Sequence, residues 1–104
     1  MAVSIKQNDL RPILTFTLKE NGVAKNLTGA TSATLKMRSG ATVVSRAGVI
    51  TDATNGVVSV TFTGTDTSIV GDYQAEIEVI WPTSQPQTFP NDSYFTISIV
   101  DDVA

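Results

Sequence analysis

The sequence predicts an all-β fold, an antiparallel β-sandwich of about seven to nine short strands. Apolar and polar residues alternate along several segments, which is the periodicity of a strand with one buried face. Asn-Gly pairs at Asn21-Gly22 and Asn55-Gly56 predict tight hairpin turns between such segments. No segment has the spacing of an amphipathic helix. A small barrel is the competing architecture, and the unequal loop lengths favour the sandwich.

The segment 71–81 is the strand around which we expect the rest of the chain to be arranged. Its inward positions are Tyr73, Ala75, Ile77, Val79 and Trp81, and its outward positions include Gln74, Glu76 and Glu78. Tyr73 follows a glycine-containing corner, as in the tyrosine corner of immunoglobulin-like sandwiches, where the ring packs inward and the hydroxyl bonds to upstream backbone. The prediction is therefore an immunoglobulin-like sandwich. A tyrosine at an ordinary strand end is the alternative.

The other elements follow from the same alternation and from the positions of proline. Pro12 permits only the start of a strand, because it lacks the N–H that a ladder needs, and Pro82 and Pro86 make 82–87 a loop. The extended segments besides 71–81 are 3–7, 14–19, 23–27, 33–38, 42–46, 49–51, 58–63 and 94–100. Asp101-Asp102 is a polar tail. The predicted core consists of Phe16, Leu18, Leu35, Val60, Phe62, Tyr73, Ile77, Val79, Phe95 and Ile97.

Length and composition restrict the function. The 104 residues suit one domain, 1–104, with a single core. The absence of Cys and His removes disulfides, thiolate metal sites and the commonest general base, so we expect no metal, no cofactor and no enzymatic activity. A net charge of −3 without a Lys/Arg cluster argues against nucleic acid. No apolar run approaches the roughly 20 residues of a membrane span, so we expect no membrane partner.

Two groups of polar residues, most of them acidic, are candidates for chemistry. Glu76 and Glu78 share the polar face of one strand, where ordinary solvated charges are expected rather than an acid/base pair. The possible oxygen ligands for calcium are Asp52, Asn55, Asp66 and Asp72. They lack the regular spacing of a calcium loop, so turn chemistry is the favoured interpretation.

Three aromatic residues form the candidate contact patch. Trp81, Phe89 and Tyr94 flank the predicted proline loop, and Trp and Tyr are enriched at interface hot spots. The equally favoured alternative is that they close one end of the core. As an exposed platform they would suit a carbohydrate- or receptor-binding adhesion module, which is the alternative function.

Four stretches, in their order and spacing, carry a resemblance to a known family. They are Asn8–Ile13, Leu27–Thr31, Asn55–Val58 and Gly71–Ile77. Together they resemble the immunoglobulin-like N-terminal domain of bacteriophage baseplate upper proteins, over nearly the whole chain. No catalytic residue is implied by this resemblance.

The resemblance implies a non-enzymatic structural protein of the virion, made in the cytoplasm of the bacterial host. Its partners would be other virion proteins of the tail, baseplate or capsid, bound through protein-protein contacts, and a homo-oligomer is a further option. Members of the family usually continue into a long fibre or receptor-binding region, whereas this sequence ends after its last predicted strand. The expectation is therefore a tail or baseplate adaptor or a capsid decoration protein.

Overall fold

The structure, a computed structural model, describes residues 2–90 and 94–101, which form strands joined by turns and loops. The strands are β1 (Ala2–Lys6), β2 (Leu14–Thr17), β3 (Lys19–Glu20), β4 (Val23–Ala24), β5 (Ser32–Ser39), β6 (Thr42–Ala47), β7 (Val49–Asp52), β8 (Val57–Val60), β9 (Gly71–Trp81), β10 (Gln85–Phe89) and β11 (Phe95–Val100). Within the described ranges, no helix is long and apolar enough to cross a membrane. The predicted tail residue Asp102 lies outside the described residues.

The strands form one large sheet, one small sheet and a short hairpin. The large sheet has the order β1-β11-β9-β5-β6, and the small sheet has the order β2-β8-β7. β10 extends the large sheet, because it pairs with the second half of β9 while β11 pairs with the first half. All these pairings are antiparallel except that of β1 with β11. β9 therefore lies at the centre of the large sheet, as its alternation predicts.

One hydrophobic core lies between the two sheets, which makes the fold an all-β sandwich. Both sheets contribute to the same buried cluster, and the rings of Phe16 and Phe95 meet across it with centroids 4.9 Å apart. Nine of the ten predicted core residues are at most 1% exposed, and Phe95 is half-buried. The cluster also contains buried residues that the prediction omitted, which include Ile5, Leu14, Leu27, Met37, Val58, Phe89 and Ile99.

The predicted hairpin turns are present. Asn21 and Gly22 have φ angles of 54° and 80°, the left-handed values that a two-residue turn between β3 and β4 requires. Asn55-Gly56 lies in the turn between β7 and β8, and Gly40 lies in the turn between β5 and β6. The chain changes from the large to the small sheet at Gly48, between β6 and β7.

The segment 82–87 corrects one prediction. Only Pro82, Thr83 and Ser84 form a turn, and β10 begins at Gln85. Pro86 is therefore within a strand, opposite Ile80. β10 pairs with β9 on one side only, so a residue without an N–H is tolerated there, whereas in a central strand it would remove a ladder bond. β10 and the division of the predicted segment 14–19 into β2 and β3 bring the strands of the described residues to eleven, above the predicted range.

Tyr73 forms the bond that the sequence predicts for it. The side chain is fully buried, and its hydroxyl donates to the backbone carbonyl of Ile69 over 2.7 Å. Burial raises the pKa of Tyr73, so the hydroxyl keeps the proton that it donates. The bond ties the loop before β9 to the core.

Tyr73→Phe should destabilise the domain by about 1 kcal/mol, because it removes this hydrogen bond and keeps the packing of the ring. For a domain of this size we expect the melting temperature to fall by roughly 4–8 °C. Thermal unfolding followed by circular dichroism measures the change. A melting temperature equal to that of the native protein would show that the Ile69 carbonyl is satisfied equally well by water.

Candidate interaction surface

The outer face of the large sheet carries charges of opposite sign on neighbouring strands. Lys36 and Arg38 of β5 stand opposite Glu76 and Gln74 of β9, respectively. These side chains face outward because the intervening residues, such as Met37, are buried in the core. β5 therefore presents a cationic row beside the acidic row of β9.

A shallow groove of about 330 Å³ crosses this face. Its base contains Lys36, Arg38 and Glu76, and the exposed side chains of Val43 and Tyr94 also line it. Lys36 forms a 3.1 Å ion pair with Glu78, but both side chains are too exposed for a large effect on stability. Among the described residues, none forms an ion pair with Arg38.

A second groove, of about 250 Å³, runs beside β6. Residues 42–45 of that strand line one side, the loop 65–69 lines the other, and Tyr73 also contributes to the lining. The Ile69 side chain in this loop is 53% exposed. An edge strand and a loop thus border this groove on the surface of the sandwich, and we call it the channel beside β6.

Asp66 holds the loop 65–69 against β6. Its carboxylate accepts bonds from Arg46 Nε at 2.7 Å and Arg46 Nη2 at 3.0 Å, and one from the Thr63 N–H at 2.9 Å. Burial alone would raise the pKa of Asp66, but the bonds from Arg46 and Thr63 outweigh it and leave the pKa below its ordinary value. Asp66 is 8% exposed and the Arg46 side chain is 35% exposed, so the pair is partly shielded from solvent.

Asp66→Asn should lower the free energy of unfolding at pH 7 by about 2 kcal/mol, because the carboxylate loses charge-assisted bonds. The folded-state pKa lies below the unfolded value, so this stabilisation is complete above that unfolded value. It is lost as the pH falls below about 4 toward the folded-state pKa. Urea unfolding at a series of pH values should show the two proteins converging in acid. A difference that is constant with pH would contradict the assignment to the charged form.

The structure does not bring the predicted aromatic patch together. Phe89 is 1% exposed and belongs to the core, because it stands opposite the inward-facing Ile77 in the ladder of β10 with β9. Tyr94 is 48% exposed and lies in the groove of the outer face, whereas Trp81 packs against the core. The contact patch of Trp81, Phe89 and Tyr94 is therefore wrong for Phe89, and the platform of the adhesion alternative is not formed.

Trp81 is held in a polar network at the end of the sandwich. Its Nε1 donates to Gln87 at 3.0 Å, Gln87 donates to Glu20 at 2.8 Å, and Lys25 pairs with Glu20 at 3.2 Å. The Lys25 ammonium also lies 5.7 Å from the ring of Trp81. The bonds from Gln87 and Lys25 lower the pKa of Glu20. Trp81 therefore already has intramolecular partners for its ring and its N–H.

The other candidate acidic residues have local roles. Asp52 accepts a 2.9 Å bond from the Asn55 side chain within the turn after β7, and Asp72 accepts one from Ser98. In the described part of the chain, no group of three His, Cys, Asp or Glu residues is placed to hold a metal ion. Turn chemistry, the favoured interpretation, accounts for Asp52 and Asn55.

Comparison with protein-family models shows which family has this sandwich. The model of the BppU N-terminal domain, the N-terminal domain of phage baseplate upper proteins, matches residues 2–103. The chain belongs to this family. BppU N-terminal domains are structural domains of the phage tail, so the chain is a phage structural protein and a component of the virion. No curated protein matches the chain.

A solved structure supports the fold of this BppU N-terminal domain. The N-terminal domain of phage TP901-1 ORF48 is similar, with a TM-score of 0.69 and 18% sequence identity. The match covers 98% of the present chain and 85% of that one. At this identity the likeness establishes the fold, and the placement of side chains is read from the present structure alone.

Sequence reasoning missed both grooves of the BppU N-terminal domain. The pairing of β5 with β6 was predictable from the Ser39-Gly40 turn, and it would have placed Val43 beside Arg38. The channel beside β6 was not predictable, since it depends on how Asp66 folds its loop back onto Arg46, 20 residues earlier. Alternation assigns the face of a strand but not the path of a loop.

Proposed function

We propose that the chain is a docking adaptor at the baseplate of the phage tail, which binds neighbouring tail proteins through its surface and carries out no reaction. The observation that carries this proposal is the family match over residues 2–103, which spans both sheets and the entire core. The same match favours the tail over the capsid, because the family is named for baseplate upper proteins.

The adaptor is proposed to act as one immunoglobulin-like domain, 1–104. The strand orders β1-β11-β9-β5-β6 and β2-β8-β7 support this arrangement, as does the bond of Tyr73 to the loop before β9. A single core cluster joins the two sheets. Such a domain is a rigid support on which surface contacts keep their geometry.

The proposed docking surface is the β5-β6 side of the large sheet. Arg38, Val43 and Tyr94 combine an available cation with exposed apolar and aromatic groups, a composition found in interface cores. The acidic row of β9 beside the cationic row of β5 gives a charge pattern that can select a partner and its orientation.

Fractionation of virions tests the location. Particles of the phage that encodes the chain would be disrupted, heads and tails separated on a gradient, and the chain quantified in each fraction by mass spectrometry. We expect it in the tail fraction, in a constant ratio to the major tail protein. Recovery with the heads would make it a decoration protein, and absence from purified particles would contradict a virion role.

A further inference from the structure

We propose that the free edge of β6 receives one extended strand from a neighbouring tail protein, with small, uncharged residues facing the loop 65–69 and acidic residues alternating on the other side. The inference rests on the docking function proposed above and names the contact that performs it. The strand would add to the large sheet by main-chain hydrogen bonds, the mode called β-augmentation.

The backbone of β6 has hydrogen-bonding groups directed away from the sheet. The two-residue turn makes Ser39 and Thr42 a hydrogen-bonded pair, and this pairing repeats at every second residue of the ladder. The 2.8 Å bond from the Gly48 N–H to the Ala33 carbonyl lies two residues beyond the pair of Leu35 and Arg46. It therefore belongs to the same alternating series of hydrogen-bonded pairs. The N–H and C=O groups of Val43 and Ser45 consequently point outward, and no described residue hydrogen-bonds to them.

The other edges are less suited to receive a strand. β10 contains Pro86, and β7 has an irregularity between Ile50 and Asp52 that interrupts its ladder. β1 carries Lys6, and β2 has only four residues. β6 has six residues without proline, glycine, lysine or a break in its register. Its one charged residue, Arg46, is paired with Asp66, so this charge does not oppose an added strand.

The channel beside β6 is already formed for such a strand. Thr42 and Val44 line it from the strand, and Ile69 lines it from the loop that Asp66 fixes to Arg46. Because side chains of an added strand alternate between faces, every second one would enter this channel. The lining also includes Thr65, Asp66 and Ser68, and the volume of about 250 Å³ suits a few small, uncharged side chains. A second copy pairing through its own β6 would bring no acidic residue to Arg38, so a strand of another protein is the favoured occupant.

Charge defines the residues on the opposite face of the incoming strand. The outer-face residues of the added strand would lie beside Val43. The neighbour of Val43 across the β5-β6 ladder is Arg38. Since no described residue neutralises Arg38, acidic side chains at these positions complement the edge.

The test measures binding of the purified chain to tails from a phage that lacks its gene, by co-sedimentation. Ser45→Pro removes the outward N–H of the edge, while Ser45→Ala keeps it and serves as the matched control. We expect the proline variant to bind at least about tenfold more weakly and the alanine variant to bind like the native chain. Ile69→Glu, on an exposed side chain, provides a second variant if Ser45→Pro impairs folding. It too should bind weakly, because it places a second carboxylate beside Asp66 in the channel that the strand would enter.

Hydrogen exchange of the tail-bound chain gives an independent measurement. The segment 42–47 should gain protection on binding. In the co-sedimentation experiment, Arg38→Glu should weaken binding, because it reverses the charge that the acidic residues of the partner strand complement. Native-like binding by Ser45→Pro and Ile69→Glu would overturn the β6 assignment while leaving the docking function intact. Failure of the native chain to bind tails would overturn the docking function and this inference with it. If the segment 42–47 is protected only when the chain dimerises at high concentration, the occupant of the edge is a second copy. That result would overturn the partner strand.

Discussion

Ile77→Asp is expected to abolish the folded state. Ile77 is fully buried near the middle of β9, between Leu35 of β5 and Phe89 of β10. A carboxylate there has no partner in an apolar core, and its burial costs several kcal/mol on top of the lost packing. Since a domain of this size has about 5–15 kcal/mol of stability, the change removes most or all of it. Circular dichroism and thermal unfolding should show no cooperative transition.

Gln74→Asp is the control for this substitution. It introduces the same side chain into the same strand, but at an exposed position on the outer face. We expect a change within about 0.5 kcal/mol. A folded Ile77→Asp protein with the native melting temperature would mean that the inward face of β9 is wrongly assigned.

Gly56→Ala should be the most damaging of the single-methyl additions in the turns. Gly56 has a φ of +71° and is buried, and a Cβ there would lie 2.5 Å from the Lys25 carbonyl oxygen and 2.9 Å from that of Leu18. Both obstacles are backbone atoms, and the Leu18 N–H also bonds to the Gly56 carbonyl. The turn would have to move away from the strands that it supports. We expect a loss of about 3 kcal/mol or more in the free energy of unfolding, measured in urea.

Gly64→Ala separates the two causes of that loss. Gly64 has a similar φ of +59°, but a Cβ there would meet no atom within 4 Å. It should therefore cost only about 1 kcal/mol, the penalty of a left-handed conformation. Equal losses at the two positions would show that the backbone conformation accounts for the effect and the close approach does not.

The layers of the fold could be predicted from the sequence, because the alternation of apolar and polar residues shows which face of each strand is buried. The alternation in 71–81 identifies β9 and its inward face, and Tyr73 bonds to upstream backbone as expected. The prediction of a loop at 82–87 was wrong because an edge strand tolerates Pro86. Without that strand, the alternation gives Phe89 no partner in a ladder, so the sequence left both a contact patch and the end of the core open for it.

The interaction surface was less predictable, since it depends on which strands become neighbours. Lys36 and Glu76 are 40 positions apart in the chain, and only the pairing of β5 with β9 makes them adjacent. The channel beside β6 needs, in addition, the bond between Arg46 and Asp66. Neither relation has a local periodicity, so composition suggested only a weakly charged surface.

Cryo-electron microscopy of the intact phage tests the central claim, a docking adaptor at the baseplate, most directly. The account predicts density for this sandwich in the baseplate, with the β5-β6 side of the large sheet facing a neighbouring tail protein and an additional strand beside β6. Copies distributed over the capsid would contradict the tail assignment. Baseplate copies whose β5-β6 side faces solvent would contradict the docking surface.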